Sequence, residues 1–227
     1  MGTVKENLEK INIKIKKIAL RVNKNPDDIK LVAVTKTATI EQVKEVISAG
    51  VKMIGENKVQ EAQKKYQFFA NNIEWHLVGH LQTNKVKFAV EMFDLIHSVD
   101  SIKLAKEIDK RSVQFRKITD ILIEVNVSGE KTKYGIKPEE IEYFLKEINE
   151  FSGIRIRGLM TIAPIVISKE EVRPYFRKLR ELSEKINSIS IKNVRMDYLS
   201  MGMTDDFEIA LEEGANMIRI GRGIFGY

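Results

Sequence analysis

The sequence predicts an α/β fold, a (β/α)8 TIM barrel with an extra N-terminal helix. Eight short apolar runs alternate with stretches in which apolar residues recur every three or four positions, the pattern of successive βα units. No linker interrupts this alternation, and eight units fit within 227 residues. An open doubly wound sheet would usually have a glycine-rich turn after its first strand, and residues 35–37 contain no glycine. We therefore expect residues 1–227 to form one barrel domain.

The extra helix and the first strand open the chain. Thr3 and Glu6 have the spacing of a capping box, and an apolar stripe follows to residue 22. The continuous apolar run that begins at Leu31 is typical of a strand buried on both faces. We expect this strand to end at Lys36.

The rest of the first half contains three more strands and four helices. Thr39 and Gln42 begin a helix that Gly50 ends, and Thr83 is expected to cap a later one. The expected strands of the first half cover residues 31–36, 51–57, 75–79 and 95–99.

The second half repeats the same unit after a longer polar loop at residues 128–135. Pro138 stands where a first helical turn accepts proline. Ser168 with Glu171, and Asp205 with Glu208, have capping-box spacing, so Asp205 is interpreted first as a helix cap. The expected strands cover residues 121–127, 156–162, 198–201 and 217–220.

The composition is that of an ordinary globular chain, with 43% hydrophobic and 31% charged residues. Basic residues exceed acidic ones by six but are interleaved with them, without a basic cluster among aromatics, so nucleic acid is not an expected partner. The absence of cysteine excludes disulfides and thiolate catalysis. No apolar run approaches the roughly 18 residues of a membrane span. The first residues begin a polar helix rather than a signal sequence, so a cytoplasmic location is expected.

Lys36 is the candidate reactive residue, because a lysine at the end of a buried strand lies at the face where barrels carry their active sites. If its amine is buried, its pKa is lowered and it becomes a nucleophile for carbonyl compounds. The alternative is a lysine that reaches past the strand end into water.

The loops after the seventh and eighth strands are candidate phosphate sites, as in many such barrels. Residues 200–204 supply hydroxyl groups and a glycine, and residues 221–223 supply flexible backbone and a guanidinium. A phosphate-bearing aldehyde would fit both these loops and Lys36. Pyridoxal 5′-phosphate (PLP) is one such group, and a sugar phosphate bound by an aldolase is another.

Other polar residues at strand ends give weaker signals. His76, His80 and His97 are interpreted as core or rim histidines, and no metal site is expected. Glu56 is either an acid–base group or a carboxylate at the start of a helix. Trp75 is interpreted as a packing residue.

The sequence also resembles the pyridoxal phosphate homeostasis proteins, which are single-domain barrels similar to the N-terminal domain of alanine racemases. The similarity is collinear over nearly the whole chain, and its most specific block is W-H-L-V-G-H-L-Q-T-N-K at residues 75–85. The other matching segments are Val34-Thr35-Lys36, Gly55-Glu56-Asn57 with Gln60-Glu61, Gly158-Leu159-Met160-Thr161, Leu199-Ser200-Met201-Gly202-Met203-Thr204 and Arg219-Ile220-Gly221.

The resemblance implies a role for six residues. Lys36 would hold PLP as an internal aldimine, Arg219 would face the pyridine nitrogen, and Asn57 would lie near the ring. Ser200, Gly221 and Arg222 would hold the phosphate. An arginine at the ring nitrogen keeps the ring unprotonated, which makes it a poorer electron sink.

The function implied by the resemblance is PLP binding and PLP homeostasis without robust turnover, by a monomer whose candidate partners are PLP-dependent apoenzymes. The alternative is an amino-acid racemase with Lys36 as base. Alanine racemases continue into a β domain that completes their active site, and this chain is not expected to supply one. An aldolase is disfavoured because its lysine usually lies on a later strand.

Overall fold

Eight parallel strands close into a barrel in chain order in the computed structural model, which describes residues 2–70, 73–189 and 191–226. The ring closes where the first strand pairs with the eighth, with Val32 beside Arg219. The predicted TIM barrel is therefore confirmed. Its strands are β1 Lys30–Val34, β2 Met53–Glu56, β3 Glu74–Leu77, β4 Leu95–Val99, β5 Thr119–Glu124, β6 Ile154–Met160, β7 Val194–Ser200 and β8 Met217–Ile220.

Helices surround the barrel, and the extra N-terminal helix is present. The Thr3–Glu6 capping box is confirmed: the Glu6 N–H donates to Thr3 Oγ1 at 3.2 Å, and the Thr3 N–H donates to Glu6 Oε2 at 2.9 Å. In the described residues, no helix is both long and apolar enough to cross a membrane. The helices are α1 Val4–Arg21, α2 Ile40–Ser48, α3 Val59–Phe69, α4 Val86–Met92, α5 Ile102–Gln114, α6 Ile141–Ile148, α7 Arg173–Asn187, α8 Phe207–Glu212 and α9 Arg222–Phe225.

Two buried layers result from the alternation of side chains along each strand. The outer layer lies between strands and helices and consists of apolar side chains, Trp75 and Phe176 among the largest. Trp75 packs against Tyr66, as a packing residue should. A smaller inner apolar cluster fills the barrel. Its members are Val32, Val34, Val78, Leu95, Leu122, Met160 and Met217.

Several element ends differ from the sequence-based expectation. Strand β1 ends at Val34, so Lys36 lies in the turn that follows it and not in the strand. Strand β7 begins at Val194, four residues earlier than expected. Its early part is polar because it belongs to an ion-pair cluster at the amino end of the barrel. There Arg157 donates to Asp120 at 2.7 Å and to Asp197 at 2.6 Å, which holds β5, β6 and β7 together.

Of the predicted caps, those at Thr83 and Asp205 are wrong, and those at Thr3, Thr39 and Ser168 are confirmed. Thr83 lies inside a short 3-10 helix, Thr83–Lys85, and does not cap α4. Asp206 occupies the cap position of α8, and Asp205 instead forms an ion pair with Arg222. The Ser168–Glu171 box is confirmed, since the Ser168 N–H donates to Glu171 Oε1 at 3.0 Å. Capping-box spacing alone does not distinguish between two neighbouring carboxylates.

Candidate cofactor-binding site

A pocket of about 800 Å³ opens at the carboxyl ends of the strands, a typical size for a small-molecule site. Five of the six predicted site residues line it. They are Lys36, Asn57, Arg219, Gly221 and Arg222. Residues at the end of one strand and residues of the loop after another, which are far apart in the sequence, therefore line one cavity.

The side chain of Lys36 is exposed at the mouth of this pocket. Of the two alternatives for Lys36, the buried amine is wrong and the lysine that reaches past the strand end is confirmed, because the strand ends two residues earlier and the turn carries the lysine out of the sheet. Its amine makes no hydrogen bond or ion pair with the described residues. It is therefore free to react with a ligand.

A buried ion pair fixes the turn from below. Lys65 Nζ of α3 lies 2.8 Å from Glu56 Oε1, and the Thr35 hydroxyl donates to the same oxygen at 2.6 Å. Lys65 also donates to the Thr35 carbonyl at 2.5 Å. Glu56 is thus neither a helix-starting carboxylate nor a free acid–base group. Sequence reasoning missed Lys65. This lysine lies on the same buried face of α3 as Val59, and a lysine within that apolar stripe was the available signal.

Arg219 forms part of the floor of the pocket and is buried, with 3% of its surface exposed. Its Nη1 donates to Ser200 Oγ at 2.6 Å and its Nη2 donates to the Thr161 carbonyl at 2.8 Å. Burial lowers the pKa of Arg219 to about 10, an effect that Asp206 and Glu124 oppose. The group therefore remains a cation at neutral pH.

Ser200 does not reach the pocket surface. It is the last residue of β7, it is fully buried, and its hydroxyl lies between Arg219 and His97 Nδ1, the latter at 3.0 Å. Thr204 lines the pocket instead, where its hydroxyl accepts the Gly223 N–H at 3.1 Å. Thr204 was within the predicted loop, but only the structure shows that Ser200 ends β7 inside the barrel whereas Thr204 lies in the following turn and lines the pocket.

Gly202 bends the chain between these two hydroxyls. It has a φ of +93°, and a Cβ at this position would lie 2.6 Å from the Ala210 Cβ. The tight turn brings residues 203–206 to the pocket mouth beside the loop that follows β8. Arg222 is exposed there and is paired with Asp205.

Glu124 is a pocket residue that sequence reasoning missed. It ends β5 and is buried, and its carboxyl makes no hydrogen bond with the described residues. The pKa of Glu124 is raised to about 7, chiefly by burial and then by the nearby Asp100, while Arg219 opposes the rise. A glutamate within the apolar run of β5 was the available signal. Its acid and base forms are both populated near neutral pH.

The histidines lie where the sequence placed them, in the core or on the rim. His76 and His97 are buried in the barrel. His80 is exposed at the pocket mouth, stacked on Tyr134 with ring centroids 4.0 Å apart, and 3.3 Å from Asp100. No group of three or more histidine, aspartate and glutamate side chains in the described part of the chain is arranged to hold a metal ion.

The alanine racemase N-terminal domain family matches residues 7–227. A pyridoxal phosphate homeostasis protein of Aquifex aeolicus is 44% identical, with 97% of this chain and 96% of that protein aligned. One from Haemophilus influenzae is 37% identical, with 98% and 95% aligned.

Solved structures give the same picture. PipY of Synechococcus elongatus PCC7942, solved with PLP bound, has a TM-score of 0.84 and 32% identity, covering 99% of this chain and all of that one. A Clostridium difficile alanine racemase has a TM-score of 0.77 at 16% identity, covers 99% of this chain and 56% of that chain, and shows the fold alone. The chain therefore belongs to the pyridoxal phosphate homeostasis protein family, within the alanine racemase N-terminal domain family.

Proposed function

We propose that this chain binds PLP at the barrel mouth through Lys36 and takes part in PLP homeostasis, without robust catalytic turnover. The observation that carries the proposal is the free Lys36 amine on the same pocket as a buried cation, Arg219. The family and the PLP-bound relative support the choice of ligand.

The donor set fits PLP. Val34 and Val78 offer apolar walls to a flat ring, and Arg219 offers a cation at the floor for the ring nitrogen. The Thr204 hydroxyl and the Arg222 guanidinium suit a phosphate. Asn57 and Gly221 belong to the proposed contact set, and Ser200 enters it through Arg219.

Lys36 Nζ would hold PLP by condensing with its aldehyde to a Schiff base, with loss of water. Bound PLP would supply an aldehyde and an aromatic ring that accepts electrons. A guanidinium that stays protonated leaves the ring nitrogen without a proton, which argues against demanding carbanion chemistry. We further propose that residues 1–227 act as one PLP-binding domain, as a cytoplasmic monomer that supplies PLP-dependent apoenzymes.

The decisive experiment is to add PLP to the purified chain and to the Lys36→Ala variant. We expect visible absorbance in the wild type and its loss in the variant, and borohydride reduction followed by peptide mass spectrometry should find pyridoxyl on Lys36. Lys44→Ala, which changes an exposed lysine outside the pocket, is the matched control and should behave as the wild type. Unchanged absorbance in Lys36→Ala would refute the assignment.

A second candidate is an amino-acid racemase, and Glu124 favours it because it gives the pocket a second acid–base group beside Lys36. Incubating the PLP-loaded chain with single-enantiomer amino acids distinguishes the two functions. We expect no sustained racemisation. Turnover that is lost in both Lys36→Ala and Glu124→Gln would establish the racemase instead.

A further inference from the structure

A line of polar side chains, buried except for the exposed Glu74 at its outer end, crosses the barrel interior from its amino end to the floor of the pocket. Glu74 Oε2 lies 3.7 Å from His76 Nε2, and His76 Nδ1 lies 3.0 Å from His97 Nε2. His97 Nδ1 lies 3.0 Å from Ser200 Oγ, which accepts a hydrogen bond from Arg219 at 2.6 Å. We call these five residues the interior chain.

The interior chain lies where a barrel normally has apolar side chains. His76, His97, Ser200 and Arg219 are each at most 3% exposed, and the inner apolar cluster surrounds them. Burying such groups is costly unless each is hydrogen bonded. The arrangement satisfies them with one another, so it behaves as a unit.

The direction of the hydrogen bonds follows from what each group can donate. Arginine only donates, so Ser200 Oγ accepts from Arg219 and gives its own hydrogen to His97 Nδ1. His97 then carries its hydrogen on Nε2 and donates to His76 Nδ1. His76 therefore also carries its hydrogen on Nε2, facing the Glu74 carboxylate.

The opposite direction is disfavoured. It leaves the Ser200 hydrogen without an acceptor among the described residues and turns an imidazole lone pair toward Glu74. Burial lowers the pKa of His97 well below its usual range, and His76 and Arg219 lower it further, which agrees with a neutral ring. The other charged groups that face Arg219 are Glu124, at the end of β5, and Asp206, at the start of α8.

We propose that His97 and His76 are positioning residues, which through Ser200 hold the Arg219 guanidinium in one orientation against the pocket floor. Because Thr161 fixes the second guanidinium nitrogen, loss of the Ser200 bond would leave Arg219 attached on one side only. The consequence for PLP rests on the proposed function. A fixed guanidinium sets both the affinity for the ring and the wavelength at which the bound ring absorbs.

The first test is NMR on the PLP-free protein, labelled with 15N in histidine and arginine. We expect His97 to be neutral, with hydrogen on Nε2, from pH 6 to 8.5, and His76 to carry a hydrogen on the Nε2 that faces Glu74. The Nη hydrogens of Arg219 should be resolved from one another, and in Ser200→Ala they should average. A histidine of the pair with hydrogen on Nδ1, or Arg219 signals that Ser200→Ala leaves unchanged, would overturn the proposal.

PLP binding gives the second test. Ser200→Ala and His97→Phe should each raise the dissociation constant about tenfold, the factor expected for one hydrogen bond to a charged group. They should also displace the absorbance maximum, and Ser200→Thr should restore both. Leu145→Ala, a buried apolar truncation on α6 in the outer layer, is the control and should leave the maximum unchanged.

The two tests separate this proposal from the proposed function. If the wild-type chain binds no PLP, the proposed function fails, while the NMR result on the free chain still decides how Arg219 is held. If PLP binds normally and all the variants keep the wild-type maximum and dissociation constant, the positioning role is refuted.

Discussion

The outer layer of the molecule and the interior of its barrel are both buried, but they are built from different residues. Apolar side chains such as Phe176 and Trp75 fill the space between strands and helices. The interior mixes a few aliphatic residues with His76, His97 and Arg219. Buried polar groups add little net stability and are costly when unpaired. The comparison therefore assigns stability to the outer layer and ligand chemistry to the interior.

The interior itself changes along the barrel axis. Toward the amino end and at the pocket floor, polar groups are paired with each other, as in the interior chain. At the pocket, Lys36 and Glu124 make no hydrogen bonds with the described residues, and both line the same cavity. Both groups are therefore available to a ligand in the pocket.

The largest expected effect comes from the outer layer. Phe176→Ala should lower the free energy of unfolding by about 3–5 kcal/mol, because it removes a fully buried ring and leaves a cavity. PLP affinity of the folded fraction should not change. Urea denaturation followed by circular dichroism measures the first quantity, and absorbance titration with PLP measures the second.

Phe68→Ala is the matched control for that prediction, since Phe68 is 52% exposed. It should change the free energy of unfolding by about 0.5 kcal/mol or less. A PLP affinity that falls in Phe176→Ala under folding conditions would show that the two layers are not separate in function.

The next effect concerns Glu124 and pH. A carboxyl whose pKa rises from 4.5 to about 7 on folding keeps its proton in the folded state while the unfolded chain loses it. Its contribution to stability is therefore full below pH 4.5 and is lost as pH rises through about 7. The Glu124→Gln side chain cannot ionise. The difference in free energy of unfolding between this variant and the wild type should therefore shift in favour of the variant as pH rises from 4.5 to 8.5, by about 3 kcal/mol at most.

Urea denaturation of both PLP-free chains at the two pH values checks this prediction. Glu139→Gln changes an exposed glutamate and should show no such gain. A difference between Glu124→Gln and the wild type that does not vary with pH would mean that Glu124 is ionised in the fold at no cost.

Periodicity and strand-end position predicted the barrel, its strand order, and Lys36, Gly221 and Arg222 as site residues, because they follow from local pattern. The roles of Asn57 and Arg219 came from the family resemblance. The family resemblance added the expected ligand. The burial state of Lys36 could not be predicted, since two residues of turn separate a buried amine from an exposed one. Pairings between distant elements, such as Lys65 with Glu56 or His97 with Ser200, depend on how the barrel closes.

The smallest expected effect concerns Asn57, which follows β2 and lines the pocket. Its side chain makes no hydrogen bond with the described residues, so Asn57→Ala should leave stability nearly unchanged. If it contacts PLP, its loss should cost about 1 kcal/mol of binding, a factor of about five in dissociation constant. Absorbance titration with PLP measures this factor, with Asn84→Ala, an exposed amide outside the pocket, as the control. Equal dissociation constants for the two variants would remove Asn57 from the contact set and leave ligand binding to the Lys36 and Arg219 sides of the pocket.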